Sequence, residues 1–116
     1  MTQNNTIESL RDKIAELNDE LLKLLKERGH LVEELDELKR KSGRPAYDPV
    51  RESEMLERLL NQGSAPYQPT QLQRIFKSIF DASKEIQDEK RKKVLLVSRK
   101  TKAEDTHTDV NGTVIG

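Results

Sequence analysis

Apolar residues recur every three or four positions through the first third of the chain. This spacing places them on one face of a single helix, in a pattern close to a heptad repeat. The stripe consists of Ile7, Leu10, Ile14, Leu17, Leu21, Leu24, Leu31, Leu35 and Leu38. The position that the pattern assigns after Leu24 is 28, and it holds an arginine. A cation among leucines is unfavourable unless an anion meets it, so Arg28 is the first candidate functional residue.

Capping and breaking residues divide the chain into three predicted helices. The first helix begins after Thr6 and ends near Lys41, before the breaking segment 42–45. Its capping box is expected to be incomplete, because Ser9 stands where glutamate or glutamine is usual. The two shorter helices begin at the proline pairs Asp48-Pro49 and Pro69-Thr70. The second is predicted to end near residues 61–63, and the third presents an apolar face made of Leu72, Ile75, Phe76, Ile79, Phe80 and Ile86.

The character of the sequence changes after about residue 90. A basic run, Lys90 to Lys93, is interpreted as a solvated helix end. A polar linker is predicted over residues 98–108, and Asn111-Gly112 between β-forming residues indicates a hairpin turn. We therefore predict a helical domain over residues 1–90, followed by a linker and a β-like tail over residues 91–116.

Helix lengths indicate that the fold is all-α and oligomeric. At 1.5 Å per residue the first helix is about 50 Å long, whereas the second and third are about 21 Å and about 30 Å. Neither short helix covers the whole apolar stripe, and a monomer would leave much of it in water. An intertwined homodimer that pairs two long helices across a two-fold axis is the expected solution.

Composition excludes several classes of function. Lysine plus arginine number 21 and aspartate plus glutamate number 21, so no overall field favours nucleic acid or an anionic membrane. Cysteine is absent, and His30 and His107 have no ligand spacing, so no metal or other cofactor is expected. No apolar run approaches the roughly 20 residues of a membrane span, and the N-terminus is unlike a signal peptide. The default expectation is a cytoplasmic protein.

Polar residues at or beside apolar positions supply further candidates. Arg11 and Lys39 occupy the heptad position directly after Leu10 and Leu38, so both flank the seam that holds Arg28. Arg11 is about 25 Å from Arg28 along one helix, so a small ligand meets both only if Arg11 comes from a partner subunit.

The shorter helices carry the remaining candidates. Arg51 and Glu52 lie in the first turn of the second helix, next to the N-cap Asp48. Ser83 and Gln87 are four residues apart and interrupt the apolar face of the third helix. A cationic, hydrogen-bonding pocket built from these helix faces would suit a compact dianion.

Taken singly, these residues also have ordinary structural interpretations. Arg11 and Lys39 fit surface cations that snorkel beside an apolar stripe. Arg28 fits an ion pair with an acid on a neighbouring helix. Arg51 and Glu52 are also explained as ordinary charges in the first turn of a helix. Ser83 is also explained as a small residue at a helix crossing, and Gln87 as a surface amide.

The combination resembles the all-helical (type II) chorismate mutase family. The similarity covers about residues 6–88 and rests on Leu10-Arg11-Asp12-Lys13-Ile14, Leu21 to Arg28, Lys39, Arg44-Pro45, Asp48-Pro49-Val50-Arg51-Glu52, Ser83 and Gln87. The resemblance implies conversion of chorismate to prephenate in aromatic amino acid biosynthesis, a rearrangement that needs no nucleophile, metal or proton relay.

The same resemblance implies roles for the basic and amide residues. Arg28 and the partner's Arg11 would hold the two carboxylates of the substrate. Lys39 and Gln87 would donate to the ether oxygen, where negative charge grows. Many family members carry a glycine and fewer acids in the stretch before Lys39, where this chain has an Asp36 that is spaced to pair with Lys39.

Roles also follow for the remaining positions. Glu52 and the backbone at Asp48 would take the ring hydroxyl. Ser83 would help to bind a carboxylate of the substrate. Arg51 would orient the neighbouring site residues or contact the substrate together with them.

The C-terminal segment adds a second resemblance. Leu95 to Lys100, Glu104-Asp105-Thr106 and Ile115-Gly116 are similar to the junction at which a mutase-like domain precedes 3-deoxy-arabino-heptulosonate-7-phosphate (DAHP) synthase. This resemblance implies that residues 91–116 are a linker and the start of a missing C-terminal synthase domain. It favours a dual role, in which the chain is a chorismate mutase and also senses prephenate or chorismate for a fused or adjacent DAHP synthase. The alternatives are a ligand-binding regulatory module alone and a helical dimerisation scaffold.

Overall fold

The structure, a computed structural model, describes residues 5–105, with side chains described for residues 5–98. It consists of three α-helices: α1 (Ile7–Lys41), α2 (Pro49–Leu60) and α3 (Pro69–Asp105). No strand occurs between residues 5 and 105. The prediction of an all-α fold with three helices is confirmed. The predicted hairpin around Asn111-Gly112 lies outside the described residues.

The N-terminus of α1 is closed by a complete capping box. The Thr6 side chain accepts a hydrogen bond from the Ser9 backbone N–H at 3.0 Å. The Ser9 Oγ accepts one in return from the Thr6 N–H at 2.9 Å. The expectation of an incomplete box is wrong, because a serine hydroxyl at this position reaches back as a longer glutamate would. The helix ends at Lys41 with Ser42 as its C-cap, and the following Gly43 adopts the left-handed conformation, with φ of 72°.

The second helix begins as its sequence predicts. Asp48 is the N-cap, and its side chain accepts a hydrogen bond from the Arg51 N–H at 3.0 Å. Pro49 occupies the first helical position, where its missing N–H is not needed. Gly63, with φ of 96°, turns the chain away after the helix.

The third helix is much longer than the pattern predicts. It continues through Asp105, so the first part of the predicted linker, residues 98–105, is helical. No glycine or proline occurs between Pro69 and Gly112, and residues 90–105 are mostly good helix formers. The change in charge composition near residue 90 therefore does not end the helix, because no helix-breaking residue accompanies it. The division into domains at residue 90 stays a prediction.

Packing between the helices is confined to one end of α1. The third helix lies against both α1 and α2. Gly29 lies at the crossing of α1 and α3, where a Cβ added to it would lie 3.6 Å from Ile86 Cδ1. Phe80 is the one large apolar side chain classed as buried among residues 5–98, at 5% exposure. Asp36 and Gln87 are the buried polar residues in that range.

The apolar stripe of α1 is largely in contact with solvent in the single chain. All nine of its members, from Ile7 to Leu38, are between 44% and 65% exposed. The homodimer that would cover this stripe stays a prediction. No helix among residues 5–105 combines the length and the apolar character that crossing a membrane requires.

Candidate active site

A cavity of about 210 Å³ opens between the second half of α1, the α1–α2 loop, α2 and α3. Its walls combine apolar side chains with charged and hydrogen-bonding ones. The lining residues are Arg28, Val32, Leu35, Lys39, Ala46, Tyr47, Asp48, Arg51, Glu52, Met55, Phe80, Ser83, Lys84 and Gln87. Four cations and two carboxylates give the wall an excess of two positive charges.

Seven of the eight predicted site residues line this one cavity. They come from all three helices and are Arg28, Lys39, Asp48, Arg51, Glu52, Ser83 and Gln87. Arg11 does not line it and is exposed near the other end of α1. The structure therefore brings the predicted site together, with the exception of the residue assigned to a partner subunit.

Arg28 is fixed in the cavity wall by α3. Its Nη1 donates a hydrogen bond to Ser83 Oγ at 2.5 Å, and its guanidinium carbon lies 5.5 Å from the centroid of the Phe80 ring. Ser83 Oγ donates to the Ile79 carbonyl at 2.9 Å, which leaves its lone pairs to accept from Arg28. Within residues 5–98 no carboxylate lies within 4.0 Å of Arg28. The alternative of an intrachain ion pair is therefore not observed in that range.

Lys39 is turned toward the α1–α2 loop. Its Nζ donates a hydrogen bond to the Ala46 carbonyl at 3.1 Å. The expected pair between Asp36 and Lys39 is not formed. Asp36 instead accepts from Arg91 Nη2 at 2.8 Å and from Arg40 Nε at 3.4 Å. Asp36 faces α3 rather than the cavity, so Lys39 keeps its charge available to the cavity.

The basic run near residue 90 is only partly solvated. The side chain of Arg91 is 30% exposed because it packs on the fully buried Asp36. The interpretation of the run as a simple solvated helix end is therefore wrong at Arg91. A guanidinium reaches a carboxylate bidentately, and that geometry holds Arg91 against α1.

The second helix presents its first turn to the cavity. Asp48 caps the helix with its side chain, and its neighbour Arg51 is exposed at the rim. Glu52 is 26% exposed and its Oε2 lies 3.2 Å from Lys84 Nζ. A carboxylate at this point of the wall can accept a hydrogen bond from a neutral hydroxyl group of a ligand.

Gln87 is the most buried polar residue of the cavity wall, at 7% exposure. Its side-chain amide makes no hydrogen bond with residues 5–98. A buried amide without a partner costs about 1–3 kcal/mol. Such a group inside a cavity is suited to donate to a ligand acceptor.

Sequence reasoning missed two polar side chains of the wall, Lys84 and Tyr47. Lys84 pairs with Glu52 and lies 5.8 Å from the centroid of the Tyr47 ring. Tyr47 Oη donates to Asp88 Oδ1 at 2.5 Å, and this hydrogen bond raises the pKa of the Tyr47 phenol above its usual 10.0. The signals available were an aromatic residue directly before the Asp48 N-cap and a lysine directly after Ser83.

The fold and site define a class: a three-helix protein whose interhelical cavity is lined by arginine, lysine and hydrogen-bonding side chains. Comparisons with known proteins give the particular family. The family model described as chorismate mutase type II matches residues 10–88. The chain therefore belongs to the type II chorismate mutase family, whose named activity is that of an isomerase.

Named relatives agree with this family. The chain is 39% identical over 84 residues to the bifunctional chorismate mutase/prephenate dehydratase of Escherichia coli (strain K12). That match covers 72% of this chain and 22% of the relative, so the chain spans about a fifth of the relative's length. A bifunctional chorismate mutase/prephenate dehydratase of Aquifex aeolicus (strain VF5) is 34% identical over 61 residues, which are 53% of this chain and 17% of the relative.

Solved structures show the same fold. Form I of the chorismate mutase from Thermus thermophilus is 43% identical, with a TM-score of 0.65, and the match covers 66% of this chain and 96% of that one. Form II, from the same organism, is 40% identical with a TM-score of 0.69, and the match covers 71% of this chain and 93% of that one. The three-helix arrangement is thus shared along nearly the whole length of both structures.

Proposed function

We propose that this chain catalyses the rearrangement of chorismate to prephenate. The observation that carries the proposal is the cavity in which three helices gather four cations and a buried amide that has no hydrogen-bond partner within residues 5–98. The reaction is a unimolecular Claisen rearrangement, in which one C–O bond breaks and one C–C bond forms within the same molecule. Catalysis requires holding the reactive conformer and stabilising the charge that develops on the ether oxygen.

Arg28 would bind one carboxylate of the substrate. Its guanidinium is held by Ser83 and Phe80, and it has donors beyond the one that Ser83 accepts. A guanidinium that is already oriented loses little conformational freedom when it pairs with a carboxylate. Ser83 assists by fixing that orientation, and Arg51, at the rim, would orient the groups beside it.

Lys39 and Gln87 would donate to the ether oxygen. Both line the cavity, from α1 and α3 respectively. The Gln87 amide has no protein partner within residues 5–98, so a hydrogen bond to substrate replaces no existing one. A millionfold acceleration corresponds to about 8 kcal/mol of selective transition-state stabilisation, and donors aimed at developing charge supply a large share.

Glu52 and the backbone at Asp48 would receive the ring hydroxyl. The Glu52 carboxylate is an acceptor on the α2 side of the cavity, and Lys84 holds it at 3.2 Å. Two acceptors on one wall and cations on the others would distinguish the hydroxyl end of the substrate from its carboxylate end.

The second carboxylate would be bound by Arg11 of a partner chain. The exposed stripe of α1 supports a homodimer, because nine apolar residues at heptad spacing are between 44% and 65% exposed in the single chain. Arg11 lies beside this stripe, at the end of α1 away from the cavity. An antiparallel pairing of two α1 helices would bring each Arg11 toward the cavity of the other chain.

An assay of purified protein tests the proposal directly. Chorismate should be depleted and prephenate should appear in equal amount. Arg28→Ala should lower kcat/KM by about 10²–10³-fold, since removing one partner of a buried charge pair costs about 2–5 kcal/mol. Arg58→Ala is the matched control, because Arg58 is an exposed arginine of α2 outside the cavity wall. Absence of turnover by the unmodified protein would refute the proposed activity.

A second candidate function is feedback sensing, with the same cavity binding prephenate or chorismate and restraining a fused or adjacent DAHP synthase. The similarity of segments 95–100, 104–106 and 115–116 to a mutase–synthase junction favours this role. The bifunctional relatives named above carry prephenate dehydratase as their second activity. Prephenate binding without turnover would favour the sensor over the enzyme.

A further inference from the structure

The most deeply buried side chain among residues 5–98 is a carboxylate. Asp36 is 0% exposed, whereas the most buried large apolar residue, Phe80, is 5% exposed. A buried carboxylate is destabilising unless cations and hydrogen bonds compensate it. This group is not in the cavity wall, and the proposed reaction does not use it.

Two arginines from different helices meet Asp36. Arg91 Nε and Nη2 donate to Asp36 Oδ1 at 3.0 Å and 2.8 Å, and Arg91 Nε also lies 3.3 Å from Oδ2. Arg40, one turn along α1, lies 3.4 Å from Oδ2. Arg91 Nη2 also donates to the Arg44 carbonyl in the α1–α2 loop at 3.5 Å. One guanidinium thus joins α1, the loop and α3.

The pair lies one helical turn from two proposed catalytic donors. Asp36 precedes Lys39 by three residues on α1, and Arg91 follows Gln87 by four residues on α3. Residues at these spacings are neighbours on a helix surface. The Asp36–Arg91 contact therefore links α1 and α3 one turn away from the level at which Lys39 and Gln87 line the cavity.

We propose that Asp36 and Arg91 are positioning residues that set the placement of Gln87 on α3 relative to Lys39 on α1. The proposal rests on the function proposed above. A planar guanidinium fork pairs with a carboxylate in few orientations, whereas a contact between two apolar side chains lets the helices slide and rotate against each other. Apolar replacements of a buried ion pair are often neutral or stabilising. Stability alone therefore does not explain this pair, whereas the need for a defined alignment of α1 and α3 does explain it.

Two variants separate positioning from stability. In the double variant Asp36→Leu/Arg91→Leu, the buried carboxylate and its bidentate partner are removed together. Arg40 loses its contact with Asp36, but its side chain is 20% exposed and can turn to water, so the midpoint of urea unfolding should be unchanged or higher. Arg91→Lys keeps the positive charge but loses the fork. Lys92→Leu is the control, because Lys92 is an exposed neighbour on α3.

We expect kcat for chorismate to fall about 10- to 100-fold in the double variant and by less in Arg91→Lys, with KM changed less than about threefold. A misplaced donor lowers kcat when substrate binding by Arg28 is intact. The Lys92→Leu protein should match the unmodified one. Unchanged kcat in the folded Arg91→Lys and double variants would overturn the proposal.

A spectroscopic readout makes the test independent of turnover. The side-chain amide resonances of Gln87 are assigned by NMR from their loss in Gln87→Leu. They should shift in Arg91→Lys and in the double variant and stay in place in Lys92→Leu. Resonances that do not move in either variant would overturn the positioning role, even in a protein without mutase activity. Lack of turnover by the unmodified protein, with the shifts observed, would refute only the proposed function.

Discussion

The two halves of α1 carry one apolar repeat but have different surroundings. Along the first half, from Ile7 to Leu24, the stripe faces solvent in the single chain. Along the second half the helix meets α3, and the best-buried side chain there is the carboxylate of Asp36. The comparison shows that the heptad pattern does not mark the face of α1 that is buried in the single chain, because stripe residues of the second half such as Leu31 and Leu38 stay 64% and 63% exposed while Asp36, outside the stripe, is buried.

The first half of α1 is the part that a second chain would complete. Leu17 is 62% exposed in the middle of the stripe. Leu17→Glu would place a carboxylate at the centre of the proposed dimer interface, where an unpaired charge costs about 3–5 kcal/mol. We expect the dimer dissociation constant to rise at least about 10³-fold, with loss of mutase activity, as measured by analytical ultracentrifugation and chorismate turnover.

The control for this prediction lies on the opposite face of the same helix. Ala15→Glu introduces the same charge at an exposed position outside the stripe. It should leave both association and activity unchanged. A Leu17→Glu protein that associates and turns over chorismate like the unmodified one would contradict the dimer.

The second half of α1 and the neighbouring α3 hold two buried polar side chains, Asp36 and Gln87, whose burial by itself is unfavourable for stability. Gln87→Leu removes an amide that has no hydrogen-bond partner within residues 5–98. We expect the free energy of unfolding to rise by about 1 kcal/mol, because the desolvated amide is gone. Activity should fall by about 10²-fold, the typical effect of removing one donor to developing negative charge.

Urea denaturation and steady-state kinetics measure the two effects of Gln87→Leu. Gln73→Leu is the matched control, because Gln73 is an exposed glutamine of α3. A Gln87→Leu protein that loses stability and keeps its turnover would mean that the amide serves the fold and not the reaction.

A weaker effect is expected at the entrance of the cavity. The hydrogen bond to Asp88 raises the pKa of Tyr47 above 10.0, so the folded protein holds this proton more tightly than the unfolded chain. The stabilisation is fully present below pH 10 and is lost as pH rises through the raised pKa. Tyr47→Phe should therefore reduce the fall in stability above pH 10, as measured by urea denaturation across that range.

The second tyrosine of the chain is a control for that experiment. Tyr67 is exposed in the α2–α3 loop. Tyr67→Phe should leave the alkaline loss of stability as it is in the unmodified protein. Equal curves for Tyr47→Phe and Tyr67→Phe would show that the Tyr47–Asp88 hydrogen bond adds nothing to the folded state.

Local signals determined most of the fold and most of the candidate site. The Asp48–Pro49 start of α2 was predictable, because an N-cap and a following proline act through their own backbone. Arg28 was recognisable because it interrupts a regular apolar stripe. The extent of α3 through Asp105 differs from the prediction, because the helix continues where the charge composition changes and no glycine or proline interrupts it.

The sequence by itself determined that three helices form, and which polar residues break their apolar faces, because capping and periodicity act within one helix. Only the tertiary structure decided which side chains meet. It paired Asp36 with Arg91, 55 residues away, rather than with the nearby Lys39. It also joined Lys84 to Glu52 across α2 and α3. Such contacts depend on the crossing of the helices, and no spacing along one helix encodes that geometry.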